Sequence, residues 1–220
     1  NFISPFAIFL KASASQLALL SSLPLLFGSL SQLFTPKLLE VVKSRKKVVA
    51  VSVLLQALVW LPIMYAFYLE GFAVHYLIFF AILYWVLGMF LNPAWNSWMG
   101  DIVDSEVSGR YFGFRNRVVG ISALLSLLIG GFVLNSFQNA SKVTITGFII
   151  IFSIALVARL VSFFYIIKKH EPQFVVYEGA KFSFLEFIKQ MHFRNYGLFV
   201  IYLSLMNFSV YIAAPFFSAY

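Results

Sequence analysis

Residues 92–120 read NPAWNSWMGDIVDSEVSGRYFGFRNRVVG, with three acids and three arginines between Gly100 and Val118. Upstream, Gly71 to Gly100 holds no Asp, Glu, Lys or Arg, and neither does Val118 to Ser141 downstream. Each run is long enough to cross a hydrocarbon core about 30 Å thick. The stretch therefore reads as a cytoplasmic turn between two membrane spans. The rest of the chain reads as further spans about similar turns, which predicts an all-α polytopic transmembrane helix bundle.

Composition leads to the same class. Hydrophobic residues make up 61% of the 220 and charged ones 11%, with a mean hydropathy of +0.90, where a soluble domain carries roughly 25% charged residues. The net charge of +8 would suggest nucleic acid in a soluble protein. Here the cations fall in short clusters between apolar runs, so membrane orientation explains them better, and no nucleic-acid partner is expected. The absence of cysteine excludes disulfides, thiolate metal sites and a cysteine nucleophile. No signal peptide is evident at Asn1.

In chain order, residues 1–10 are apolar but too short to span, and read as the second half of a first span. Ala12–Pro36 gives the second span, Val48–Leu69 the third, and the fourth closes in LNPAWNSWMG. Val118–Phe137 gives the fifth and Val143–Ile167 the sixth. A basic segment, 168–195, follows, in which Phe184, Phe187, Ile188 and Met191 fall at i, i+3, i+4 and i+7, a pattern suited to the bilayer surface. Residues 196–220 begin a seventh span. The expected organisation is thus a transmembrane bundle over 1–167, a cytoplasmic loop over 168–195 and the start of a second bundle over 196–220.

Thirteen of the sixteen basic residues lie in the segments 37–47, 110–117 and 168–194. The positive-inside rule makes that side cytoplasmic; Lys11 and Lys142 lie on the other. The triplet Asn139-Ala140-Ser141 is then an outer glycosylation sequon. The opening Ser4-Pro5-Phe6-Ala7 is echoed by Ala214-Pro215-Phe216-Phe217, each after an Asn-Phe pair, and the prolines are 215 − 5 = 210 residues apart. A structural repeat of that length suggests two six-span halves and an intact chain of roughly 420 residues; chance recurrence in apolar sequence is the alternative.

Two polar features lie within the spans. Arg159 precedes Lys168 by nine residues, about 13 Å along a helix, and an ionisable residue at such depth is a candidate for substrate or gating contact, with snorkelling or a carbonyl partner as the alternative. In the fourth span Trp85, Gly88, Asn92 and Trp95 or Asn96 recur on one face. Their carboxamides suit either a substrate or helix-to-helix hydrogen bonds. Pro93 would kink this span near its cytoplasmic end.

The layout as a whole resembles the major facilitator superfamily of secondary transporters. Pro36 to Lys46, PKLLEVVKSRK, is similar to its signature between spans two and three: Leu38 matches, Glu40 supplies the acid, Arg45 and Lys46 the basic end, and Pro36 and Lys43 replace its glycines. Asp104, Glu106, Gly109 and Arg110, followed by Tyr111-Phe112-Gly113, resemble its loop between spans four and five. Gly120, Gly130 and Gly131 are similar to its glycine-rich fifth span, without the Gly-Pro pair. The resemblance implies alternating access about a cavity lined by spans one, four and seven. It thereby names Trp85, Asn92, Asn207 and Tyr211, beside Arg159, as candidate substrate contacts.

If the halves of such a transporter rock, ion pairs made in one state and broken in the other set the balance between states. Glu40 and Asp101, close in the layout to Arg45, Lys46 and Arg110, form a candidate conformational latch. A solvated loop that only fixes topology is the alternative. All eight acids lie in loops or at span ends, so no proton carrier is evident at membrane depth; coupling to an ion and uniport both stay open. No metal-ligand spacing, phosphate loop or hydrolase elbow is present, so neither cofactor, metal nor enzyme activity is expected. The reading is a multi-pass transporter of a small solute, in contact with membrane lipids and sited in the cell membrane with its basic loops cytoplasmic. A non-transporting structural or assembly protein is the alternative.

Overall fold

A computed structural model describes residues 2–137, 141–173, 189 and 195–217 of the chain, and all their regular elements are helices. The chain divides into two compact units, Asn1–Phe174 and Val175–Tyr220. In the first, α1 (Ile3–Phe9) closes in a turn where Ala12 N–H reaches Ala7 O (3.0 Å) and Lys11 N–H reaches Ile8 O (2.9 Å), with Lys11 left-handed at φ 63. α2 (Ala14–Ser31) opens on a capping box: Gln16 N–H donates to Ser13 Oγ at 3.2 Å and Ser13 N–H to Gln16 Oε1 at 2.9 Å. A short turn leads into α3 (Thr35–Val42), whose C-cap Lys43 is also left-handed.

The next rod is α4 (Arg45–Leu58) followed by α5 (Trp60–Tyr65), interrupted at Val59. Pro62 has no N–H for the Leu58 carbonyl, so the helix cannot run through unchanged. α6 (Ala73–Phe90) and α7 (Asn92–Ile102) are likewise separated at Leu91, just before Pro93. α8 (Ser105–Ser136) and α9 (Ser141–Lys168) complete the unit. Five of these rods, Ala14–Val42, Arg45–Tyr68, Ala73–Ile102, Ser105–Ser136 and Ile145–Lys168, are long and apolar enough to cross a membrane.

The stretch 92–120, expected to be a turn, is almost entirely helical. α7 runs to Ile102, α8 starts at Ser105, and only Val103 and Asp104 lie between them. Charges mark where a chain leaves the hydrocarbon, whereas a helix keeps its internal bonds in water and continues past that plane. Arg110, Arg115 and Arg117 consequently stand on α8.

Cross-links fix the directions of the rods. Ser31 Oγ donates to Val86 O (3.3 Å) and Thr35 Oγ1 to Phe90 O (2.6 Å), both at a separation of 55 residues, so α2–α3 runs parallel to α6. Ser153 Oγ meets Met64 Sδ while Lys46 Nζ meets Lys169 O; one index rises as the other falls, so α4–α5 and α9 are antiparallel. Close approach uses small residues. A side chain at Gly28 would strike Met89, one at Gly88 would meet Gln56 Nε2, and one at Gly130 would strike the Phe2 ring.

Buried apolar residues form two separate cores. One gathers Phe6, Trp60, Ile63, Leu77, Phe148 and Phe152; the other Leu39, Val49, Val53, Trp98, Met99 and Ile166. The rods α4–α5, α6–α7 and α9 contribute to both, and the segments between the two contributions carry Gln56, Trp85 to Asn92, and Arg159.

The second unit's described part is chiefly α10 (Asn195–Phe217). Ser204 Oγ, Asn207 Nδ2 and Ser209 Oγ donate to carbonyls one turn back, at Val200, Leu203 and Leu205. Pro5 and Pro215 both lie inside helices, α1 and α10. The amphipathic segment around Phe184, Phe187, Ile188 and Met191 and the sequon at Asn139 lie outside the described residues.

Candidate functional site: a cavity at the waist of the bundle

Between the two cores the first unit forms a half-open cavity of about 630 Å³. Gln56 and Trp60 reach it from α4 and α5, Trp85 and Gly88 from α6, Asn92 from α7, Phe152 and Arg159 from α9. A second cavity of about 510 Å³ adjoins it. Gly88, Asn92 and Arg159 line both, so Arg159 stands where the two meet. The second cavity adds Trp95, Arg115, Ser162 and Lys169.

The larger cavity is mostly apolar and aromatic. Trp60 lies 5.1 Å from Phe152 in a stack and 5.0 Å from Tyr84 edge-on, centroid to centroid, geometries that aromatic quadrupoles favour. Within this wall sit two buried polar atoms, Gln56 Oε1 and Trp60 Nε1, that have no hydrogen-bond partner among the described residues. Gln56, 2% exposed, does use its amide: Nε2 donates to Tyr84 O at 3.0 Å. An orphaned acceptor and donor behind one cavity wall are costly, of order 1–3 kcal/mol each.

At the opposite end of α4 a polar cluster closes the bundle. Arg45, buried, donates from Nη1 to Asp101 Oδ2 (2.6 Å), Ser97 Oγ (3.0 Å) and Ser97 O (3.1 Å). Ser44 Oγ and Lys46 N–H hold the Glu171 carboxylate at 2.8 and 2.9 Å. Lys46 Nζ donates to Lys169 O at 2.9 Å and Trp98 Nε1 to His170 O at 3.1 Å. The segment after α9 is thereby pinned against α4 and α7. Lys169 Nζ rests 4.8 Å over the Trp95 ring; burial pushes its ammonium below the usual lysine range, and the Arg115 charge lowers it further.

The family model for the Major Facilitator Superfamily matches residues 1–220. The chain belongs to the Major Facilitator Superfamily. No curated protein and no solved structure matches it. Membership together with the apolar rods makes it an integral, multi-pass membrane protein of a transporter family, whose members sit in lipid and handle small solutes.

Within this superfamily chain the expected site residues are placed as follows. Trp85, Asn92 and Arg159 come together at the waist cavity. Asn207 belongs to the second unit, where its amide bonds to its own helix; Tyr211 lies on α10, and its side chain is outside the described residues. Arg45 and Asp101 pair directly and Lys46 joins the same cluster, whereas Glu40 and Arg110 are exposed and form no ion pair among the described residues. Sequence reading passed over Gln56, a lone carboxamide in an apolar run, and treated Glu171 only as a loop acid. In the superfamily's signature stretch Lys43 replaces a glycine and adopts φ 51, the left-handed conformation in which glycine is least strained.

Proposed function

We propose that the chain carries a small solute by alternating access, with the waist cavity as its binding chamber. The observation that supports this most is the meeting of Arg159 and Asn92 with Gln56, Trp60 and Trp85 at a cavity between two packed cores. A cavity of apolar wall with a few convergent polar groups is the usual form of a small-molecule site. Trp85, Asn92 and Arg159 are the proposed substrate contacts in this cavity; Asn207 and Tyr211 are proposed as substrate contacts on the superfamily resemblance alone. The proposed organisation is a bundle over 1–167, an inter-half loop over 168–195 and a second bundle from 196.

The Arg45–Asp101 pair with Lys46 is the proposed latch. Glu40 and Arg110, both exposed, are proposed to join the latch in another state of the transport cycle. The basic segments face the cytoplasm of a cell membrane, the chain is no enzyme, and nucleic acid is not a partner. Uniport and coupling to an ion are both compatible with acids confined to span ends. The test is flux in proteoliposomes: saturable, solute-specific uptake that Arg159→Gln reduces supports the proposal. Absence of flux for every solute class, in protein shown to be folded, would favour a structural or assembly role.

A further inference from the structure

The second cavity is charged on one side of the balance only. Arg115 on α8, Arg159 on α9 and Lys169 just beyond it line its wall, and no Asp or Glu does. Among the described residues none of the three has a carboxylate partner: the ion pair formed there is Arg45–Asp101, and Glu171 is taken by Ser44 and Lys46. Lys169 Nζ meets neutral neighbours, the Trp95 ring and Met99 Sδ. Three like charges about a cleft with low-dielectric walls concentrate a positive potential inside it and raise the local concentration of anions. Burial chiefly, and then the Arg115 charge, lower the proton affinity of Lys169.

The adjoining cavity has the opposite character. Its wall is formed by Trp60, Trp85, Met89, Ile151 and Phe152. Its volume of about 630 Å³ falls within the range of roughly 300–1,000 Å³ for small-molecule sites. A single molecule lying across Arg159 would place a negative head among three cations and an apolar body among aromatic rings.

We propose that the solute carried by this chain is an amphiphilic organic anion, with its carboxylate or phosphate on Arg159, Arg115 and Lys169 and its apolar body in the aromatic cavity. This inference rests on the cavity being the transport route. Arginine suits the head because its planar fork grips a carboxylate or phosphate through two parallel bonds.

The experiment is binding followed by tryptophan fluorescence, Trp60, Trp85 and Trp95 being cavity residues, on the purified protein in phosphatidylcholine nanodiscs. The probes are phenyl phosphate, octanoate and the cation phenethylammonium. The expected result is saturable binding of at least one of the two anions and none of the cation. Arg159→Gln should weaken that binding about ten- to a hundredfold, the loss expected for a charge-assisted contact, with partial recovery in Arg159→Lys. Should Arg159→Gln fail to fold, Arg115→Gln on the exposed α8 provides the same comparison with a smaller loss. Binding of phenethylammonium as tight as that of the anions, binding of neither anion, or anion binding indifferent to both arginines would overturn the inference. A lipid headgroup is the other source of such an anion: phosphatidylglycerol that abolishes phenyl phosphate binding and is itself lost from the arginine variants would also overturn it. Arginine-dependent anion binding without flux in proteoliposomes would leave the anion site standing and refute transport. Flux of a cation or neutral solute without anion binding would do the reverse.

Discussion

Arg45 Nη1 stands 2.6 Å from Asp101 Oδ2, and the two side chains are 2% and 53% exposed. A cation sealed between helices is therefore answered by a carboxylate that also faces water. The buried member depends on the pair, while the exposed member remains available to a competing cation. In the proposed latch Asp101 is the side chain that changes partners as the access state changes.

Asp101→Asn keeps the shape and removes the charge. Loss of the pair should lower stability by about 1–2 kcal/mol, a modest figure because water screens the half-exposed carboxylate, read as a lower melting temperature in detergent. It should also shift the balance between inward- and outward-open states. Unchanged transport rates and unchanged populations would remove the latch from the account.

Gly88→Ala tests the waist. The new methyl would lie 2.5 Å from Gln56 Nε2, so either the Tyr84 hydrogen bond or the approach of α6 to α4 must yield, at a cost of about 1–3 kcal/mol. Gln56→Ala removes the obstacle, and the double variant should be less destabilised than the sum of the single ones. Strict additivity in melting experiments would show that Gln56 does not face Gly88.

Lys43 invites the reverse substitution. Its φ of 51 costs an L-residue roughly 1 kcal/mol that glycine does not incur, partly offset by the greater chain entropy of glycine in the unfolded state. Lys43→Gly should raise the melting temperature slightly or leave it unchanged, whereas Lys43→Val should lower it. Equal behaviour of the two variants would mean that the left-handed turn does not form.

Orientation is accessible because the chain has no cysteine. Single cysteines at the exposed residues Lys37, Glu106 and Gln173 should react with an impermeant reagent from the cytoplasmic side only, and one at Ser141 from the other side only. Ser44 would be a poor choice, since its hydroxyl caps α4 and holds Glu171. Labelling of positions 106 and 141 from the same side would refute the assignment.

The rods were legible in the sequence because excluding charge from hydrocarbon leaves runs such as Gly71–Gly100 that composition alone marks. Their ends were not. Glu106, Gly109 and Arg110 look like a loop when charge is taken as the boundary, yet α8 carries them. Pro62 and Pro93 were better guides to interruption, each standing just beyond a break, at Val59 and Leu91. At the site, Arg159 and Asn92 were readable as polar residues out of place at membrane depth. Gln56 was equally out of place but followed no repeating pattern, and its meeting with Gly88 depends on the packing of α4 against α6, which no local spacing encodes. Glu40 and Arg110 were grouped with Arg45 by nearness along the layout, whereas the helices that bring Asp101 to Arg45 leave those two exposed.

Alternating access is tested most directly at Asn92, which lines both cavities. In Asn92→Cys, an impermeant thiol reagent should reach the new side chain from either face of the membrane. Adding Asp101→Asn should raise the rate from one face and lower it from the other. Reaction from a single face at a rate indifferent to Asp101, or no reaction at all, would contradict a chamber that opens to each side in turn.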